Sequence, residues 1–156
     1  MFYFKTINIS RPNETVVEKA IRRRSLKRHT WLDIKSSASY IPQAGKYFLG
    51  LESNRYIKLT RLRTPFEIFL PKLVVRFDKQ NFCKFQVRYS FFPFLFLIVL
   101  CLGIVLSLVG TVTSSKIVNF FIAITLISGL FGLFTFIELS LTKEKINQAL
   151  IEEKRQ

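Results

Sequence analysis

Two uncharged apolar runs, Phe91 to Val109 and Ile117 to Ile137, constrain this chain more than any other feature. Fifteen of the nineteen residues in the first run are Phe, Leu, Ile or Val. At about 1.5 Å rise per residue, each run is long enough to cross a hydrocarbon layer of about 30 Å. The connector Gly110-Thr-Val-Thr-Ser-Ser-Lys116 carries one charge and reads as a short loop. The pattern predicts a two-helix transmembrane hairpin, with helices at about 91–109 and 117–139.

Charge distribution then sets the orientation. The chain carries a formal net charge of +14, which in a soluble protein would point first to nucleic acid. Residues 1–90 hold 19 Lys and Arg against 6 Asp and Glu, whereas the connector holds only Lys116. Basic residues collect on the cytoplasmic side of membrane proteins. The expectation is therefore a multi-pass protein of a plasma (inner) membrane, with both termini cytoplasmic and the loop outside. The start Met-Phe-Tyr-Phe-Lys5 has no cationic stretch before an apolar one, so no signal peptide is expected. Cys83 and Cys101 fall on the cytoplasmic side and inside the first apolar run, and no bridge between them is expected.

Residues 1–90 read as a small α+β domain, an antiparallel sheet of four to six strands with one helix. Phe2 to Ile9 is aromatic and β-branched, as strands are. Ser10-Arg-Pro-Asn13 leads into a helix over about Glu14 to Lys27, with Val16, Val17, Ala20 and Ile21 on one face. His29 to Ser37 suggests a short strand. Lys46 to Glu52 and Arg55 to Arg63 flank Ser53-Asn54 as a hairpin. Phe66 to Leu70 and Leu73 to Phe77 read as one strand broken at Pro71, and Phe82 to Tyr89 as a last strand running directly into the first apolar run. Residues 142–156 read as a cytoplasmic amphipathic tail with Ile146, Ala149 and Leu150 on one side.

Lys19, Arg22, Arg23, Arg24, Lys27 and Arg28 form a basic cluster on the helix. It suits a solvated face adding to the topological bias, or anionic lipid headgroups, or a protein partner. The absence of a base-reading motif or regular aromatic interleaving argues against nucleic acid. In the apolar runs, Gly103, Ser107 and Gly110, and Ser128, Gly129 and Gly132, are spaced for close helix packing, with homo-oligomer formation as the alternative. Glu138 falls at the cytoplasmic end of the second run and reads as a carboxylate reaching headgroup water.

Signs of catalysis are missing. There is no glycine-rich phosphate loop, HExxH, CxxC or nucleophile elbow, and the lone His29 has no Cys or His companion at ligand spacing. No catalytic, cofactor-binding or metal-ligating residues are expected, and the chain reads as a non-enzymatic binding or scaffolding protein at the inner leaflet. An accessory or assembly subunit of a larger membrane complex, and an immunity-type membrane protein, are the other readings.

The order strand, short helix, Phe48-Leu-Gly50, Tyr56-Ile-Lys-Leu-Thr-Arg61, Phe66 to Pro71, then a strand entering two apolar runs, resembles small uncharacterised bacterial membrane proteins with a cytoplasmic β-rich, pleckstrin-homology-like domain. The resemblance spans most of the chain. It implies a cytoplasmic domain fused to two C-terminal transmembrane helices and brings no activity or site residues with it.

Overall fold

The computed structural model describes residues 3–9, 13–27, 32–33, 45–110 and 115–155, with backbone alone for 107–110 and 115–118. In chain order these form β1 (Lys5–Asn8), α1 (Glu14–Arg24), β2 (Ser25–Lys27), β3 (Phe48–Glu52) and β4 (Tyr56–Arg61). A 3-10 turn (Pro65–Phe69), β5 (Leu73–Asp78), β6 (Asn81–Tyr89), α2 (Phe91–Gly110) and α3 (Ser115–Lys154) follow. The fold is α+β, as expected. The strands make one six-stranded sheet in the order β1-β6-β5-β4-β3-β2.

That sheet is mixed, not antiparallel throughout. Leu26 pairs with Leu49 in a parallel ladder between β2 and β3, while every other neighbouring pair is antiparallel. The same ladder shortens the expected helix. α1 ends at Arg24 because Ser25 turns extended, with φ −104° and ψ 141°, and the next residues join the sheet edge. Arg24 Nη1 donates to the Gly45 carbonyl at 3.0 Å. Gly45 has φ +80°, and a Cβ there would lie 2.6 Å from that guanidinium. Only glycine fits such an approach in the left-handed region.

Cross-strand register builds one apolar face. Ile57 lies opposite Phe77, Leu59 opposite Val75, Phe77 opposite Phe85 and Val75 opposite Val87. Side chains alternate along a strand, so these residues share a side, and all are buried. Val17, Ala20 and Ile21 of α1 cover part of it. The rest is covered by Leu139, Ile146 and Leu150 of α3, which belong to the same core cluster.

The tail is therefore neither separate nor free. Residues 142–154 continue α3 without a break, and the predicted apolar side at Ile146, Ala149 and Leu150 is buried against the sheet and α1. α3 runs 40 residues, about 60 Å at 1.5 Å per residue.

Phe66 to Leu70 is not a strand. Pro65 has no N–H to give a ladder, and Glu67 N–H to Thr64 O at 3.0 Å and Leu70 N–H to Glu67 O at 3.1 Å wind the segment into a 3-10 turn. The expected strand at His29 to Ser37 falls largely outside the described residues; Leu32 and Asp33 lie in a turn.

α2 and α3 lie side by side and antiparallel, since Phe96 stacks near Phe131 at 5.3 Å while Gly103 meets Ile124. Among the described residues, α3 alone is long and apolar enough to cross a membrane; Phe91–Leu106 of α2 is apolar but shorter. One candidate span thus stands where two were expected, the last turn of α2 contributing no described side chains. Both helices leave large apolar side chains in the open, among them Leu102 and Leu106 of α2 and Leu126, Leu130 and Phe136 of α3.

Candidate functional site

The end of the sheet that meets α2 and α3 gathers buried charge. Ile57, Leu59 and Arg61 alternate in phase, so Arg61 points the same way as the core residues of β4. It emerges beneath α3, where Glu138 waits. Arg61 Nη2 donates to Glu138 Oε2 at 2.7 Å, and Arg63 Nη2 lies 3.1 Å from Glu138 Oε1. Arg61 Nη1 also donates to both Glu67 carboxylate oxygens at 2.9 Å. Glu138 is 1% exposed and Arg61 4%.

Glu138 accordingly does not reach headgroup water as the sequence suggested. It is enclosed by two guanidinium groups from the strand below. Burial alone would push Arg61 down, but the hydrogen bonds and charges of Glu138 and Glu67 outweigh it and hold the group above its usual value. For Arg63 burial wins and the pKa falls, with Glu138 opposing. Both remain cations at any ordinary pH. Burial works against the Glu67 carboxylate too, yet the Thr64 N–H at 2.8 Å and Arg61 hold it below the usual range.

A second group of charges lies beside the first, on the other face of the sheet. Arg88 of β6 pairs with Asp33, Nη1 to Oδ1 at 2.8 Å and Nη2 to Oδ2 at 2.9 Å. Lys72 Nζ donates to the Leu32 carbonyl. Burial pushes the Lys72 amine down to about 8, with the Arg63 charge acting the same way and Asp33 against it. Arg63 Nη1 donates to Leu70 O at 2.8 Å. Four cations, Arg61, Arg63, Lys72 and Arg88, thus face three carboxylates, Glu67, Glu138 and Asp33, directly below the first turn of α2. The arrangement locks elements together and leaves a surplus of positive charge; it presents no general base beside a nucleophile.

The basic cluster predicted on α1 is engaged elsewhere. Arg22 pairs with Glu18 and Glu52, both at 2.8 Å. Arg24 pairs with Glu152 at 2.9 Å, while Lys19 and Arg23 approach Glu153 at 3.4 and 3.6 Å. Tyr47 OH donates to Glu152 at 2.7 Å, and Arg24 sits over its ring. Glu152 and Glu153 of the tail are thus partners of Lys19, Arg23 and Arg24. Lys27 is exposed at the end of β2, and Arg28 and His29 lie outside the described residues.

Of the small residues predicted to pack helices, Gly103 does so. A Cβ there would come within 2.7 Å of Ile124 Cδ1. A Cβ at Gly129 or Gly132 would meet nothing within 4 Å, and Ser128 Oγ is turned to the Ile124 carbonyl of its own helix at 2.8 Å. The side chain of Ser107 and the surroundings of Gly110 lie outside the described residues.

Sequence reasoning passed over Arg61, Arg63, Glu67, Lys72 and Arg88, and gave Glu138 to headgroup water instead of to a buried ion pair. A signal existed for the first two, since Arg61 and Arg63 continue the buried alternation of Ile57 and Leu59 and so call for an enclosed carboxylate. Glu138 is the only acidic residue from Phe91 to Lys143. Among the described residues no group of three His, Cys, Asp or Glu side chains could hold a metal ion. Both cysteines are free. In comparisons with protein-family models, curated proteins and solved structures, nothing matches this chain.

Proposed function

We propose that this chain is a non-enzymatic, membrane-anchored binding or scaffolding protein that crosses a bacterial plasma membrane twice, with its sheet domain and both termini cytoplasmic. The observation that carries the reading is the double use of α3. One uninterrupted helix supplies open apolar surface over its first half and domain core over its second. An apolar belt of that size in water would drive aggregation, and lipid is the solvent that suits it.

The points where the helices attach support two crossings. α2 leaves the sheet after Tyr89, and α3 returns to it at Thr135 and Glu138, where Tyr89 OH lies 3.3 Å from Thr135 Oγ1. A crossing by α3 alone would require the chain to reach Ser115 on the far side by another path. α2 has 20 residues, about 30 Å of helix, which matches a hydrocarbon core. The bias of Lys and Arg toward residues 1–90 supports a cytoplasmic location for that side.

Anionic headgroups are the ligand chemistry that suits the excess of Lys and Arg in residues 1–90. Arg63 and Arg88 are buried and paired with Glu138 and Asp33. Partly buried Lys72, hydrogen-bonded through its carbonyl to Ser90, lies nearer the entry of α2 than α1 does. Lys19 and Arg23 reach Glu153, fifteen residues past Glu138. That is about 22 Å further along α3, beyond two Debye lengths at physiological salt. A protein partner is left the exposed surface of α1. The accessory-subunit reading draws on Gly129 and Gly132, which offer a partner helix a close approach.

Extraction and sizing test the proposal. The protein should resist alkaline carbonate, dissolve in mild detergent and run as a monomer or dimer. Release by carbonate would remove the anchored reading, and a discrete large assembly would favour the subunit reading.

A further inference from the structure

The 3-10 turn presents apolar side chains outward with nothing covering them. Phe66 is 91% exposed, Phe69 82% and Ile68 55%. Its one charged residue, Glu67, turns the opposite way, into Arg61. A five-residue segment thus separates completely into an apolar outside and an ion-paired inside. It is also held firmly, by the Glu67 clamp on one side and Arg63 Nη1 to Leu70 O on the other.

Register fixes its height. Leu73 lies opposite Tyr89, and Ser90 N–H donates to Lys72 O at 2.9 Å. Leu70 and Pro71 therefore lie beside the first turn of α2. A groove there is lined by Phe69, Leu70, Pro71, Phe92, Pro93 and Phe131, so the turn is continuous with the apolar belt of α2 and α3.

We propose that the 3-10 turn Pro65–Phe69 is a third membrane contact, a wedge that puts Phe66, Ile68 and Phe69 among the lipids of the inner leaflet beside the point where α2 enters. The inference rests on the membrane-anchored reading above. A hairpin alone leaves the helices and the domain fastened to them free to tilt together in the bilayer; a third apolar contact to one side of the helices fixes that tilt. Aromatic residues at the boundary between headgroups and acyl chains are the chemistry such a contact uses.

Quenching of tryptophan by bromine on lipid acyl chains tests it. The full chain carries Trp31→Phe, and single tryptophans are introduced as Phe66→Trp, Phe69→Trp, Leu106→Trp in the belt and Asn54→Trp at the far hairpin tip. If Trp31→Phe impairs folding, Trp31 is kept and its own quenching subtracted. In phosphatidylcholine–phosphatidylglycerol vesicles brominated near the headgroup end of the chain, Phe66→Trp and Phe69→Trp should lose emission to an extent approaching that of Leu106→Trp, and Asn54→Trp almost none. Emission from Phe66→Trp and Phe69→Trp that stays as bright as Asn54→Trp, with Leu106→Trp quenched, overturns the wedge and leaves the membrane reading standing. An unquenched Leu106→Trp overturns both. Protection of Phe66→Trp from soluble iodide that rises with protein concentration, without bromine quenching, would put a second copy on the turn and overturn the lipid assignment.

Discussion

Glu138 holds two buried arginines, of which Arg63 would otherwise have no carboxylate and Arg61 would keep only Glu67, and that dependence governs what its loss does. Glu138→Ala should destabilise the protein by about 3–5 kcal/mol, because removing one partner leaves uncompensated charge in a dry site. Replacing Arg61, Arg63 and Glu138 by Met together with Glu67→Gln should recover most of that loss, since an apolar cluster of similar volume needs no pairing and the new amide oxygen still accepts from the Thr64 N–H. Thermal unfolding in detergent micelles reads both. Lys72 gives a pH dependence of definite sign. Its folded-state pKa is pushed down to about 8 from 10.5, so between those values the unfolded chain binds more protons than the folded one. Stability therefore rises as pH rises through that window. Between pH 7.5 and 9.5 the wild type should gain melting temperature relative to Lys72→Met, and equal slopes would remove the claim. Lys72 was not singled out from sequence, and Glu138 was assigned to headgroup water. The partner of Arg61 lies 77 positions away, and separation of that size leaves no local pattern.

At the scale of elements, legibility follows how local the determining forces are. The β3–β4 hairpin and β6 are where turn residues and alternation put them, because both signals lie within a few residues of each other. The 3-10 turn was mistaken for a strand because Phe66, Ile68 and Phe69 look β-forming, while the Pro65 backbone and the Glu67 carboxylate decide the outcome. β2 was absorbed into α1 because a parallel partner beyond position 45 cannot be seen from Ser25. The tail shows the same division: its apolar side at Ile146, Ala149 and Leu150 was readable, whereas the surface it covers was not. Ile146 is 1% exposed within the core cluster. Ile146→Asp should therefore cost more than about 3 kcal/mol, a buried side chain lost and a charge stranded in its place. Limited proteolysis should then cut within residues 45–90. Unchanged protease resistance would mean that the sheet stands without the tail.

For the whole molecule, the sequence placed a basic domain beside an apolar pair of helices and left the joint between them blank. The structure fills that joint. α3 is at once candidate span and core helix, Glu138 fastens it to β4, and the domain is built around the end of a helix instead of hanging from it. Residues 1–90 alone lack Leu139, Ile146 and Leu150 from their core, so the boundary drawn from hydropathy at Phe91 does not bound the packed core. The central claim is that both helices cross and that the two ends of the chain share a side. Single-cysteine variants in a Cys83→Ser, Cys101→Ala background test it most directly, labelled with a membrane-impermeant maleimide in intact cells and again after the membrane is opened. Thr113→Cys in the connector should label in intact cells, while Glu14→Cys and Arg155→Cys should label only once the membrane is open. Labelling of Arg155→Cys in intact cells, or protection of Thr113→Cys there, would contradict the account.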